Sequence, residues 1–241
     1  MLRGLYIASA GMSACQRAQE VSASNLANLN TTGFKVDRPV FSAVYARTVY
    51  RTQGNTATPI GALSGGALLT TTYTDFQAGA FQKTDNPMDL AIEGDGFFAI
   101  QTPRGTRYTR NGAFQLNADG MLVTRQGFPV LSETGEPIRV PKGAPLTFGE
   151  DGSVVINNAV VVKLRIVRGN LFKEADGLFA GSALPAANPR VVSGALETSN
   201  VNLVREMVSM IELLRAYESH QKVVQAHDET LSRAINELPK I

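Results

Sequence analysis

Hydrophobic residues recur at helical spacing at both ends of this chain and at strand spacing between them. Near the N-terminus one stripe runs Leu5, Ala8, Met12, Cys15, Gln19, Ser22, Leu26 and Leu29. A second runs Ile7, Gly11, Ala14, Ala18 and Val21, and ends at the polar Asn25. Together they predict a helix with a wide face of small or apolar residues, able to approach another helix closely. Loop chemistry at Asn30-Thr31-Thr32-Gly33 should end it, because Gly33 can take the left-handed conformation that other residues avoid. Charge is scarce here: Met1 to Phe34 carries only Arg3, Arg17 and Glu20. An isolated surface helix normally has a charged outer face, so this pattern favours burial by other helices over simple folding onto its own domain.

The C-terminal stripe is longer. Leu203, Met207, Met210, Leu214, Tyr217, Gln221, Val224, Asp228, Leu231, Ile235 and Leu238 follow one another at alternating steps of four and three. Nine of these eleven positions are apolar. Steps averaging 3.5 residues are the seam of a coiled coil. Asn202 is a good N-cap, Glu218 with Lys222 and Glu229 with Arg233 support the outer face, and Pro239 marks the end. A helix from about 202 to 238 is roughly 54 Å long at 1.5 Å per residue. A β body of this size cannot cover that length. Much of the stripe must therefore meet another helix, the N-terminal one or a neighbour's.

Between the helices the period changes. Residues 42–78 are rich in Gly, Thr and Pro and lose the helical repeat, which predicts an extended arm. From residue 79 to 190, short apolar runs alternate with Asp-Gly and Asn-x-Asp-Gly turns. The runs are Leu90–Ile92, Phe97–Ile100, Tyr108–Arg110, Phe114–Leu116, Met121–Thr124, Phe128–Leu131, Ile138–Val140, Leu146–Phe148, Val154–Ile156 and Val160–Val167. They predict a central antiparallel all-β domain. Residues 180–194, with Pro185 and Pro189, read as a connector back to the C-terminal helix. The expected fold class is α+β. Residues 1–41 form the N-terminal helix and loop, 42–78 the arm, 79–190 the β domain, and 191–241 the connector and C-terminal helix. The two terminal helices form a coiled-coil-like layer.

Composition narrows the function. With 241 residues, 44% hydrophobic, the chain can bury a substantial core. A net charge of +2, with basic residues scattered among acids, gives no nucleic-acid footprint. The single cysteine, Cys15, excludes an internal disulfide framework; within an apolar stripe it reads as a small buried hydrophobe, not a nucleophile. His220 and His227 lie seven residues apart on one helix face, too far for a compact metal site and suited to surface or seam-edge packing. Glu93 and Asp95 flank a glycine and fit turn chemistry better than acid–base work. No phosphate loop or dinucleotide fingerprint is present. The reading is therefore a non-enzyme with no catalytic, cofactor or metal residues. No secretory signal and no membrane-spanning run are evident, so the ordinary rules place it in the cytoplasm; a signal-free export route would escape them.

Several segments resemble one family. Leu5-Tyr-Ile-Ala-Ser-Ala-Gly-Met12, Ser24-Asn-Leu-Ala-Asn28 and Asn30-Thr-Thr-Gly-Phe-Lys35 are similar to the N-terminal signature of bacterial flagellar rod and hook proteins. Asp89-Leu-Ala-Ile-Glu-Gly-Asp-Gly-Phe-Phe98 and Tyr108-Thr-Arg-Asn-Gly-Ala-Phe114 resemble its central motifs. Leu196-Glu-Thr-Ser-Asn-Val-Asn202 and Met207 to Tyr217 resemble its C-terminal signature, although relatives often carry glycine where Thr198 stands. The resemblance implies a structural subunit of the basal-body rod, the tubular shaft that carries torque from motor to hook across the periplasm. It implies polymerisation through the terminal helices, other rod subunits as axial neighbours, and delivery by the flagellar type III export apparatus without a cleaved signal. It implies no cofactor, nucleic acid or direct membrane insertion. The implied assembly residues are Leu5, Ala8, Met12, Cys15, Leu26 and Leu29 on the first helix. On the last helix they are Leu203, Met207, Met210, Leu214, Tyr217, Val224, Leu231, Ile235 and Leu238. Asn25, Leu26, Ala27, Asn28, Thr32, Gly33 and Phe34 carry the family motif. The chain's length and its Tyr217–Lys222 and Asp228–Arg233 segments resemble the proximal rod type more than the distal type, which is the alternative. A soluble β-domain enzyme or binding module dimerising through its helices is the reading from another class.

Overall fold

The computed structural model describes residues 2–43, 47–53, 56–63, 65–157, 159–174 and 177–237. Two helices, α1 (Leu2–Ala27) and α2 (Leu203–Glu237), flank a β-rich middle, an α+β arrangement. The chain forms two compact units and passes between them four times, after Ala27, Val36, Tyr73 and Val201.

The first unit holds both helices and two exposed strand pairs. The pairs are Asp37–Ala43 with Ala67–Thr74 and Arg47–Gln53 with Thr56–Leu63. The described residues of the Gly/Thr/Pro-rich stretch are thus largely extended and pair as two-stranded ribbons. The helices run antiparallel: Gly4 lies against His227, Gly11 against His220, and Asn25 hydrogen-bonds Glu206. The inward positions of α1 are Ala8, Gly11, Cys15, Ala18, Ser22 and Asn25, all buried. Each is small except Asn25. Facing them, α2 buries Glu206 and half-buries Met210, Leu213, Tyr217, His220, Val224, His227, Leu231 and Ala234. Both rows step by three and four residues.

This row only partly coincides with the stripe expected from the sequence. Met210, Tyr217, Val224 and Leu231 share it, whereas Leu203, Met207, Leu214 and Ile235 are exposed. Alternate inner positions fall one residue earlier, at Glu206, Leu213, His220, His227 and Ala234. The reason is steric. An added Cβ on Gly11 would lie 2.6 Å from the His220 ring, so glycine creates the hollow that a large polar ring fills. A stripe read from apolar residues alone misses an imidazole used as a knob. Leu238 and Pro239 lie outside the described residues.

The second unit is the body. Four strands, Phe97–Thr102, Gly105–Thr109, Ile166–Lys173 and Phe179–Pro185, close into a small barrel. A three-stranded sheet of Leu146–Phe148, Ser153–Ile156 and Ala159–Lys163 joins it, with strand pairs Phe114–Leu116 with Leu122–Thr124, Leu90–Glu93 with Arg190–Ser193, and Phe81–Lys83 with Ala195–Glu197. Phe97–Thr102 has a core on each face. Phe98 and Ile100 join Leu90, Phe114 and Leu122 on one side; Phe97 and Ala99 join Tyr108, Leu131 and Phe179 on the other. That explains its unbroken apolar run, since strands buried on both faces do not alternate.

Two expectations are corrected here. Val160–Val167 is not one strand. The chain changes partners at Leu164 and Arg165, whose N–H groups donate to the carbonyls of Gly152 and Leu131. The presumed connector at 180–194 is part of the body, where Phe179–Pro185 pairs with Ile166–Lys173 and Arg190–Ser193 with Leu90–Glu93. Pro185 and Pro189 sit at or beside strand ends, where the missing N–H is tolerated.

Candidate functional site

The chemistry of the body converges on three buried charges. Lys35 lies on the loop that follows α1, Arg110 follows strand Gly105–Thr109, and Glu197 ends strand Ala195–Glu197. Their exposures are 1%, 3% and 2%. Lys35 Nζ donates to Glu197 Oε1 and to the Gln77 carbonyl, each at 2.7 Å. Arg110 Nε donates to Glu197 Oε2 at 2.5 Å. The rest of its guanidinium donates to the carbonyls of Gly96, Ile92 and Gly94, the last two at 2.8 and 2.6 Å. Glu197 Oε1 also accepts from the Gly79 N–H at 2.9 Å. Every polar group is engaged, which is what a buried ion network requires to offset its desolvation.

The pKa shifts follow from this geometry. Burial opposes the Glu197 carboxylate, but Arg110, Lys35 and the Gly79 N–H together outweigh burial and hold its pKa below the usual carboxylate value. Burial dominates at Lys35 and lowers its pKa despite the Glu197 partner and the nearby Asp75. Glu197 therefore contributes stability that is present above its ordinary pKa, about 4.5, and is lost as pH falls towards the depressed value.

Within the body, the network joins the three segments that carry the four passages between the units. Residues 28–36 carry two of them. There the Gly33 N–H donates to the Glu197 carbonyl at 2.8 Å and the Val36 N–H to Asn200 Oδ1 at 2.8 Å. The third passage, at 74–80, is held by Asp75 N–H to Val36 O at 2.9 Å, Asn200 Nδ2 to Asp75 O at 2.9 Å, and Thr198 N–H to Ala80 O at 2.8 Å. The fourth, residues 197–201, supplies Glu197 and Asn200 themselves. Lys173 Nζ donates to the Lys35 carbonyl at 2.9 Å and lies 3.7 Å from the centre of the Phe34 ring.

In the helical unit Asn25 plays a comparable part. Its Oδ1 accepts from the Asp37 N–H at 3.0 Å, and its Nδ2 donates to the Asp37 carbonyl at 2.8 Å and to Glu206 at 3.2 Å. The side chain thus ties the end of α1, the start of the next strand and the first turn of α2. Asn202 caps that turn through the Arg205 N–H at 3.0 Å.

The remaining sequence-predicted residues divide by environment. Ala8 and Cys15 are buried on α1, and burial pushes the Cys15 thiol pKa up, away from nucleophilic use. Leu5, Met12 and Leu26 are half-buried and Ala27 is exposed. Half-buried Leu29 packs on Phe34, Val36 and Val201. Asn28 is half-buried, and Thr32 donates to Asn111 Oδ1 at 2.8 Å. Gly33 has φ +68°, and an added Cβ would lie 2.5 Å from the Arg110–Asn111 peptide. Lys35, Arg110, Glu197, Asn200 and Glu206 were not singled out by the sequence reading. Their signal was a charged or amide side chain inside motifs otherwise built from small, apolar and turn residues.

A cavity of about 390 Å³ in the body is lined in part by Lys35, Arg110, Phe97 and Arg168. The first two have their donors committed to Glu197 and to carbonyls, so they are not poised for a substrate. Among the described residues no cluster of His, Cys, Asp or Glu has the arrangement of a metal site, and no helix is long and apolar enough to cross a membrane.

Three family models match the chain in order. Residues 5–35 match "Flagella basal body rod protein", 91–156 match the "Flagellar hook protein FlgE/F/G D1 domain", and 192–237 match "Flagellar basal body rod FlgEFG protein C-terminal". These define the class: an axial structural protein of the bacterial flagellum. The chain is 34% identical to the flagellar basal-body rod protein FlgF of Caulobacter vibrioides, over 100% of both chains. It is 36% identical to the basal-body rod protein FlgG of Borreliella burgdorferi, over 98% of each, and 36% identical to FlgF of Escherichia coli, over 97% of each. The chain belongs to the flagellar basal-body rod protein family, a family of structural proteins and not of enzymes.

Proposed function

We propose that this protein is a subunit of the flagellar rod that joins its neighbours through the outer face of α2. One observation carries this reading. Leu203, Val204, Met207, Val208, Ile211 and Leu214 form a continuous apolar row on α2, and each is 45% to 69% exposed. The opposite face of the same helix already packs on α1. Covering such a row is favourable by roughly 1.5–3 kcal/mol per large side chain fully removed from water, so a neighbouring helix in a polymer is the natural occupant. Half-buried Leu5, Met12 and Leu26 offer further area on α1. The two helices would then form the coiled-coil-like inner layer of a tube that transmits torque across the periplasm. Delivery through the flagellar type III export apparatus, without a cleaved signal, completes the reading.

Within the family we favour the proximal, FlgF-like subunit. Alignments with the FlgF relatives run over 250, 248 and 256 positions, those with FlgG relatives over 261 to 274. The 241-residue chain therefore needs fewer insertions to match the former. Overall identity is similar for both.

Ile211→Asp and Met207→Asp place a charge on the exposed row. Each is expected to leave the thermal unfolding of the purified chain nearly unchanged, because these side chains already face water. In cells carrying the variant as the sole copy, each is expected to abolish or strongly reduce swimming and hook–filament number. Normal motility with both variants would remove the α2 face from the assembly interface.

A further inference from the structure

Glu197 is hydrogen-bonded to two buried cations, and those cations come from distant parts of the chain, 162 and 87 residues away. The charged groups around the triad include Asp75, whose charge favours protonated Lys35, Lys173, bonded to the Lys35 backbone, and Asp95 and Arg168, which line the same cavity as Lys35 and Arg110. The triad bonds Gln77 O and the Gly79 N–H, the Glu197 carbonyl accepts from the Gly33 N–H, and Asn200, three residues on, adds bonds to Val36 and Asp75; together these tie the three segments that carry the four passages between units. The two main cores of the body are built of hydrophobic side chains around Phe98 and around Phe97, and the Arg110 guanidinium borders the second, 5.9 Å from the centre of the Phe97 ring.

We propose that Glu197 is a positioning residue whose charge holds the three passage segments in the body as one cooperative latch, separable from the stability of the β core. Its removal strands two buried cations beside each other, and the cheapest relief is to admit water at segments 33–36, 75–80 and 197–200. The β core is left closed. This inference concerns the body itself and does not depend on how the chain assembles.

The test is hydrogen exchange by mass spectrometry on the full-length chain and on the variants Glu197→Gln, Lys35→Met and the double Lys35→Met/Glu197→Gln. Glu197→Gln is nearly isosteric, so it removes charge with little change of volume. Exchange at the amides of Gly33, Val36, Asp75, Gly79, Thr198 and Asn200 is expected to rise at least tenfold, with strands 97–102 and 153–156 changing less than twofold. The double variant is expected to recover part of that protection, because one stranded cation is gone; a purely structural loss would add to the defect. After correction for intrinsic rates, wild-type protection at these amides is expected to fall as pH drops below about 4.5, and that pH step is expected to vanish in Glu197→Gln. A uniform rise across the body, an unchanged rate at the six amides, or a double variant worse than Glu197→Gln would each overturn the proposal.

Discussion

Arg110→Met is expected to lower the stability of the body by about 3–5 kcal/mol, the range for breaking a buried charged network. The arginine is not only half of an ion pair. Its fork satisfies the carbonyls of Ile92, Gly94 and Gly96, and holds Glu197 through Nε. Methionine fills similar volume but leaves those carbonyls without their donor, and each buried unpaired group costs about 1–3 kcal/mol. Arg110→Lys keeps the charge and loses the planar fork, so it is expected to recover less than half of the difference. Urea titration followed by far-ultraviolet circular dichroism measures both. A midpoint for Arg110→Met within error of wild type would show that the network contributes little.

Gly33→Ala is expected to be nearly as damaging, at about 3 kcal/mol or more. The left-handed backbone at φ +68° costs an alanine roughly 1–2 kcal/mol before any contact is considered. The new Cβ would also press on the peptide joining Arg110 to Asn111, 2.5 Å away. That peptide is backbone and cannot rotate aside as a side-chain tip does. Moving it disturbs the Thr32–Asn111 bond and the aim of the Arg110 guanidinium. A fall of roughly 10 °C in the melting temperature is the expected readout, from about 2–4 °C per kcal/mol for a chain of this size. By contrast, Gly11→Ala meets only the far end of His220, which can turn away, and should cost much less.

How much of this was legible in the sequence differs by element. The ends of α1 and α2 were, because Asn30 to Gly33 and Asn202 are local signals that act through local backbone. Most body strands were legible for the same reason: turns such as Asn117–Gly120 fix where a strand begins. The strands at 179–185 and 190–193 were hidden by prolines that sit at their ends. The inner face of α2 was half legible. Apolar spacing gave Met210, Tyr217, Val224 and Leu231, but not His220 and His227, whose place depends on glycines in the other helix. The network of Lys35, Arg110 and Glu197 was the least legible, although each residue lies within a segment that carries the family resemblance. A charged residue in a sequence reads as surface, and only the tertiary fold reveals that these three meet beneath it.

The rod assignment itself is tested most directly by deleting the gene, in a strain with no second copy, and imaging basal bodies by electron cryotomography. The account predicts membrane-bound bases that lack a complete rod, hook and filament, with a rod stub no longer than the proximal segment. Basal bodies with full rods and normal filaments would contradict it.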